Sequence, residues 1–126
     1  MAKTLICDDS ILMRKVIRKI LTTNGHEVVG EATNGFEAIA LYKKYRPELV
    51  MMDITMPNID GIAAAREIIS EDGDAVIIMV SSLGQKSYVK QALKIGVVDF
   101  IVKPFEQEHV QLVIEKVLAK GGTQKH

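Results

Sequence analysis

The chain contains no tryptophan, three tyrosines, three phenylalanines, one cysteine and no net charge. Each shortage excludes something. An aromatic share of 5% leaves little from which to build a base-stacking surface. Sixteen basic residues offset sixteen acidic ones, so there is no basic footprint for nucleic acid or for an anionic membrane. Cys7 alone can form neither a disulfide framework nor a zinc site, and a reducing compartment is the natural setting. No apolar run approaches the ~20 residues that span a bilayer. The chain reaches the acidic pair at Asp8 too soon to hold a signal peptide. The expectation is a soluble, cytoplasmic, single-domain protein. With 126 residues, 48% of them hydrophobic, it has enough apolar material for a real core.

What is present alternates along the chain. Short β-branched or apolar runs occur at Thr4–Cys7, Glu27–Ala32, Leu49–Asp53, Ala75–Ser81 and Asp99–Val102. Helical periodicity fills the intervals. Met13, Val16, Ile17, Ile20 and Leu21 share one face, and Arg14, Lys15, Arg18 and Lys19 take the other. Asn24-Gly25 closes that helix. Further helices are expected near Gly35–Tyr45, Ile62–Glu71 and Gln85–Ile95. Val110, Val113, Ile114, Val117 and Leu118 mark the last one. Arg46-Pro47 and Asp72-Gly73 are breakers between them. Strand alternating with helix five times predicts an α/β fold with a parallel sheet covered on both faces. Val76–Val80 is apolar throughout, as a strand buried on both sides requires.

In such sheets ligands bind beyond the carboxyl ends of the strands. The first strand ends in Asp8-Asp9, the third in Asp53, the fourth in Ser81-Ser82 and the fifth in Lys103-Pro104. Three carboxylates brought together repel one another unless a cation joins them. The candidate ligands are all oxygen donors, which favours Mg²⁺ over zinc. Lys103 supplies a point charge on a long stem, suited to a phosphate oxygen, and Ser81 supplies a hydroxyl. Together they describe a site for one phosphoryl group, with a metal and a carboxylate nucleophile.

These segments, "DDS", "MMDITMPNIDG", "MVSS" and "FIVKPF", resemble the receiver domain of response regulators from Lys3 to about Ala119. The likeness is greatest to single-domain, CheY-like chemotaxis regulators. The resemblance implies a flavodoxin-like strand order of 2-1-3-4-5 with five helices. It implies a receiver domain over residues 1–120 and a flexible tail over 121–126. It assigns Asp53 as phosphoacceptor from a histidine kinase. Mg²⁺ would be held by Asp9, Asp53 and the Thr55 backbone carbonyl, with Asp8 acting mostly through water. Lys103 would pair with Asp53 and then with the phosphoryl group, across a cis Lys103-Pro104 bond. Thr55 and Leu83 occupy the positions that set phosphoryl lifetime. Ser81 and Phe100 would form the switch. Phe100 lacks a hydroxyl to hydrate, so an inward ring is expected. The output face would be the fourth helix, fifth strand and fifth helix. The implied protein is a monomer and not an enzyme. Its target would be a downstream protein such as a motility switch, with no DNA binding and no membrane insertion.

Other readings are weaker on the residues. A relay intermediate or the receiver fragment of a larger regulator shares every motif. An aspartyl-nucleophile phosphatase would want an acid two residues after Asp53, where Thr55 stands. A flavin carrier would want a hydroxyl- and glycine-rich loop where Asp8-Asp9 would repel its phosphate. Lys86, Lys90 and Lys94 are expected to be a solvated stripe, Met51, Met52, Met56 and Met79 core filler, and Cys7 buried and inert.

Overall fold

The computed structural model describes residues 1–82 and 86–124. Strands β1 (Lys3–Cys7), β2 (Glu27–Ala32), β3 (Leu49–Asp53), β4 (Ile77–Ser82) and β5 (Asp99–Lys103) alternate with helices. The helices are α1 (Ile11–Thr23), α2 (Gly35–Tyr45), α3 (Gly61–Glu71), α4 (Lys86–Ile95) and α5 (Gln107–Gln124). The sheet is parallel, in the order β2-β1-β3-β4-β5.

Strand alternation divides the core in two. Leu5, Val50, Met52, Ile77 and Met79 face a layer built from α2, α3 and α4. Ile6, Leu49, Met51, Ile78 and Val80 face α1 and α5. β3 is buried along its whole length, whereas the edge strands β2 and β5 are only partly covered. A continuous apolar run therefore marks the centre of the sheet. The four methionines assigned to the core are all buried.

Local chemistry fixes the helix starts that frame the site. Ser10 caps α1, its hydroxyl accepting from the Met13 amide at 3.2 Å. Asn34 caps α2 and accepts from Glu37 N–H at 2.9 Å, while Glu37 reaches back to Thr33 N–H at 2.7 Å. Asp60 caps α3 through Ala63 N–H at 2.8 Å.

The structure differs from the sequence reading in three places. β4 begins at Ile77, two residues later than expected, because Ala75 N–H closes a turn onto the Asp72 carbonyl. Val16 is about half exposed: the buried stripe of α1 is Ile17, Ile20 and Leu21, and Val16 lies off its edge. The backbone of α5 is helical to Gln124, past the Lys120 boundary.

Candidate functional site

Three strands bring the acidic residues together. Asp53 is the last residue of β3 and pairs with Val80 of β4, so Ser81 lies one residue further along the neighbouring strand. Asp8 and Asp9 follow β1, the other neighbour of β3. Each of the three carboxyl groups places an oxygen within 4.8 Å of the others. Asp8 and Asp9 both lie in the loop that follows Cys7, the last residue of β1.

Lys103 reaches this cluster from β5. Its Nζ stands 3.4 Å from Asp53 Oδ2 and 3.4 Å from Asp8 Oδ2. The second pair was not foreseen. The Lys103-Pro104 bond is cis, as expected. Ser81 is buried beside the cluster. The Thr55 amide lies 3.4 Å from Asp53 Oδ1. Leu83 lies outside the described residues.

The two neighbouring aspartates are unequal. Asp8 is 1% exposed, and each of its polar groups has a partner. Its N–H donates to the Ala32 carbonyl at 3.0 Å, and its own carbonyl accepts from Arg14 Nη1 at 2.7 Å. Oδ1 accepts from Ser10 N–H at 2.8 Å, and Oδ2 faces Lys103. Asp9 is exposed. Burial, and then the charge of Asp8, push the Asp53 carboxyl up to about 6, with Lys103 opposing them. An anionic cluster that resists its own ionisation has the chemistry of a hard-cation site.

One further residue shapes the acceptor. The Gly61 amide donates to the Ile54 carbonyl at 2.7 Å, folding the start of α3 onto the end of β3. A Cβ there would lie 2.0 Å from the Asp53 carbonyl oxygen. The Asp-Gly pair reads in the sequence as an ordinary helix start; only the backbone contact across the loop gives Gly61 its importance. Asn58, with φ 70°, turns the same loop, a conformation that asparagine tolerates.

Phe100 is 36% exposed on edge strand β5, so its ring is not packed inside as expected. Lys86, Lys90 and Lys94 are exposed along α4. Cys7 is buried, and its thiol is pushed far above its ordinary range by burial and by the charges of Asp8 and Glu37. No helix is long and apolar enough to cross a membrane among the described residues.

Known proteins are similar to this chain in sequence and fold. The chain is 51% identical to a chemotaxis protein CheY of Bacillus subtilis, over 92% of this chain and 97% of that one. It is 48% identical to a chemotaxis protein CheY of Thermotoga maritima, over 91% and 96%. The structure superposes on the solved CheX-CheY-BeF3-Mg complex of Borrelia burgdorferi with a TM-score of 0.88 and 37% identity, covering 91% of this chain and 87% of that one. Residues 4–115 match the response regulator receiver domain. With its acidic cluster, lysine and buried serine gathered at one sheet edge, the chain belongs to the response regulator receiver family.

Proposed function

We propose that Asp53 is the phosphoacceptor of a single-domain response regulator acting in chemotaxis or motility control. The observation that carries this reading is the convergence of Asp8, Asp9 and Asp53 on one point, with Lys103 3.4 Å from two of them. In transfer, an Asp53 carboxylate oxygen forms a bond to phosphorus as the bond to a histidine nitrogen of a partner kinase breaks. The freed imidazole keeps the electron pair and takes up a proton. Such reactions depend chiefly on positioning and charge compensation. Lys103 leaves Asp53 for a phosphoryl oxygen, and Ser81 offers its hydroxyl to another.

The donor set fits Mg²⁺. Asp8, Asp9 and Asp53 bring only oxygen donors together, the Thr55 backbone carbonyl would add another, and the raised Asp53 carboxyl would be relieved by a cation. Asp9 would bind the ion directly, while Asp8, its oxygens already engaged, would act mainly through water. When bound, Mg²⁺ neutralises the negative charge that gathers between acceptor and phosphoryl group. The related Borrelia complex also contains Mg²⁺ and a protein partner.

Phosphorylation would shift a two-state equilibrium through Ser81 and Phe100 and alter the face formed by α4, β5 and α5. Its reader would be a downstream protein such as a motility switch. The protein works as a cytoplasmic monomer and phosphoacceptor, not as an enzyme with turnover. The test is incubation with a small acyl phosphate and Mg²⁺, read by intact mass. A single phosphoryl adduct is expected, absent without Mg²⁺ and absent in Asp53→Asn. An adduct that persists in Asp53→Asn would sink the assignment.

A further inference from the structure

Arg14 sits on the polar side of α1, where the sequence suggests a solvated charge. Its side chain is only 12% exposed. The guanidinium spans two groups: Nη1 donates to the Asp8 carbonyl at 2.7 Å, and Nε donates to Glu31 Oε1 on β2 at 2.9 Å. Arg18 also binds Glu31, at Oε2, but its side chain is 45% exposed and its described bonds go only to that carboxylate.

The Asp8 carbonyl is a particular place to hold. It shares one rigid plane with the Asp9 N–H. Fixing that carbonyl sets the direction in which Asp9 leaves the loop. Asp9 is exposed and needs such help, because no described hydrogen bond or ion pair holds its carboxylate. We infer that Arg14 is a positioning residue for Asp9, fixing the Asp8–Asp9 peptide plane through a guanidinium braced on Glu31. The inference rests on Asp9 being a metal ligand, as proposed above.

Lysine cannot replace this fork, since a single ammonium on a flexible stem does not hold two acceptors in fixed directions. Arg14→Lys therefore keeps the charge and removes the brace. Arg18→Lys is the matched control: it weakens a bond to the same Glu31 without touching Asp8. Two measurements apply. Without metal, ¹⁵N relaxation should give Asp9 and Ser10 order parameters near the rigid-backbone value of about 0.85 in the parent and in Arg18→Lys, falling to about 0.7 or below in Arg14→Lys. By calorimetry, Arg14→Lys should weaken Mg²⁺ binding at least about threefold, less than the roughly 10–100-fold typical of groups bonded directly to a metal ligand because Arg14 acts through the peptide plane, with Arg18→Lys unchanged. Equal order parameters in the two variants, or unchanged Mg²⁺ affinity in Arg14→Lys, would overturn the inference. Failure of the parent to bind Mg²⁺ would instead refute the proposed function, and the metal-free arm would still decide whether Arg14 orders the loop.

Discussion

The two edges of the sheet treat aspartate in opposite ways. At the carboxyl edge, Asp53 is crowded by Asp8 and by burial, and its carboxyl is pushed up to about 6. At the amino edge, Asp72 is surrounded by donors. The Tyr42 hydroxyl binds it at 2.7 Å, Asp74 N–H at 3.0 Å and Arg46 at 2.8 Å. The Tyr42 hydrogen bond is the main reason its carboxyl lies below the ordinary range. One edge satisfies its charges and adds stability. The other leaves a deficit of positive charge that a ligand can fill, and so gives up stability for function.

The largest effect that would break this contrast comes from the backbone. Gly61→Ala should cost at least about 2–3 kcal/mol, because the clash is with the Asp53 main chain and no side chain can swing clear. Urea unfolding should show the loss, and phosphorylation should fall with it. An unchanged midpoint would mean that the acceptor loop gives way easily.

Next comes Asp53→Asn, which should stabilise the metal-free protein at pH 7 by about 1–3 kcal/mol. The sign follows from the shift. The folded acceptor holds its proton up to about 6, while an unfolded aspartate loses it near 3.8. Stability therefore falls as pH rises through that window and stays low above it. The advantage of Asn should shrink as pH approaches 4, and also on adding Mg²⁺, which only the parent binds well. Thermal melts with and without Mg²⁺ will read both.

At the other edge the sign reverses. Tyr42→Phe should cost about 1–2 kcal/mol at pH 7, the worth of one hydrogen bond to a charged group. The carboxyl of Asp72 is held low, so its contribution is present above the ordinary range and is lost as pH falls through the lowered value. Below that point Tyr42→Phe and the parent should converge. The smallest effect belongs to Lys43→Ala, whose pair with Glu71 joins two exposed side chains. It should move stability by no more than about 0.5 kcal/mol.

Much of the carboxyl edge was legible because its residues sit where strands end, and strand ends are visible as changes from apolar to polar. Asp53, Ser81 and Lys103 were found in this way. Strand order was not legible from periodicity; it came from the family resemblance. The partners of Asp8 were hidden too. Lys103 lies 95 residues away in sequence and Arg14 six, and pattern alone does not show that both meet it. Gly61 carries no side-chain signal, and its role depends on a loop folding back.

Cys7 offers a consequence of another kind. It is the chain's sole thiol, buried in β1 between β2 and β3. Its side chain faces the core layer under α2, α3 and α4, so a thiol reagent can reach it only when that layer opens. Labelling speed, relative to that of the same thiol in the unfolded chain, therefore counts openings of this layer, with no engineered probe. The chain carries its own clock for the stability of the core beneath Asp8 and Asp9, and the effect of filling the neighbouring site can be timed on it.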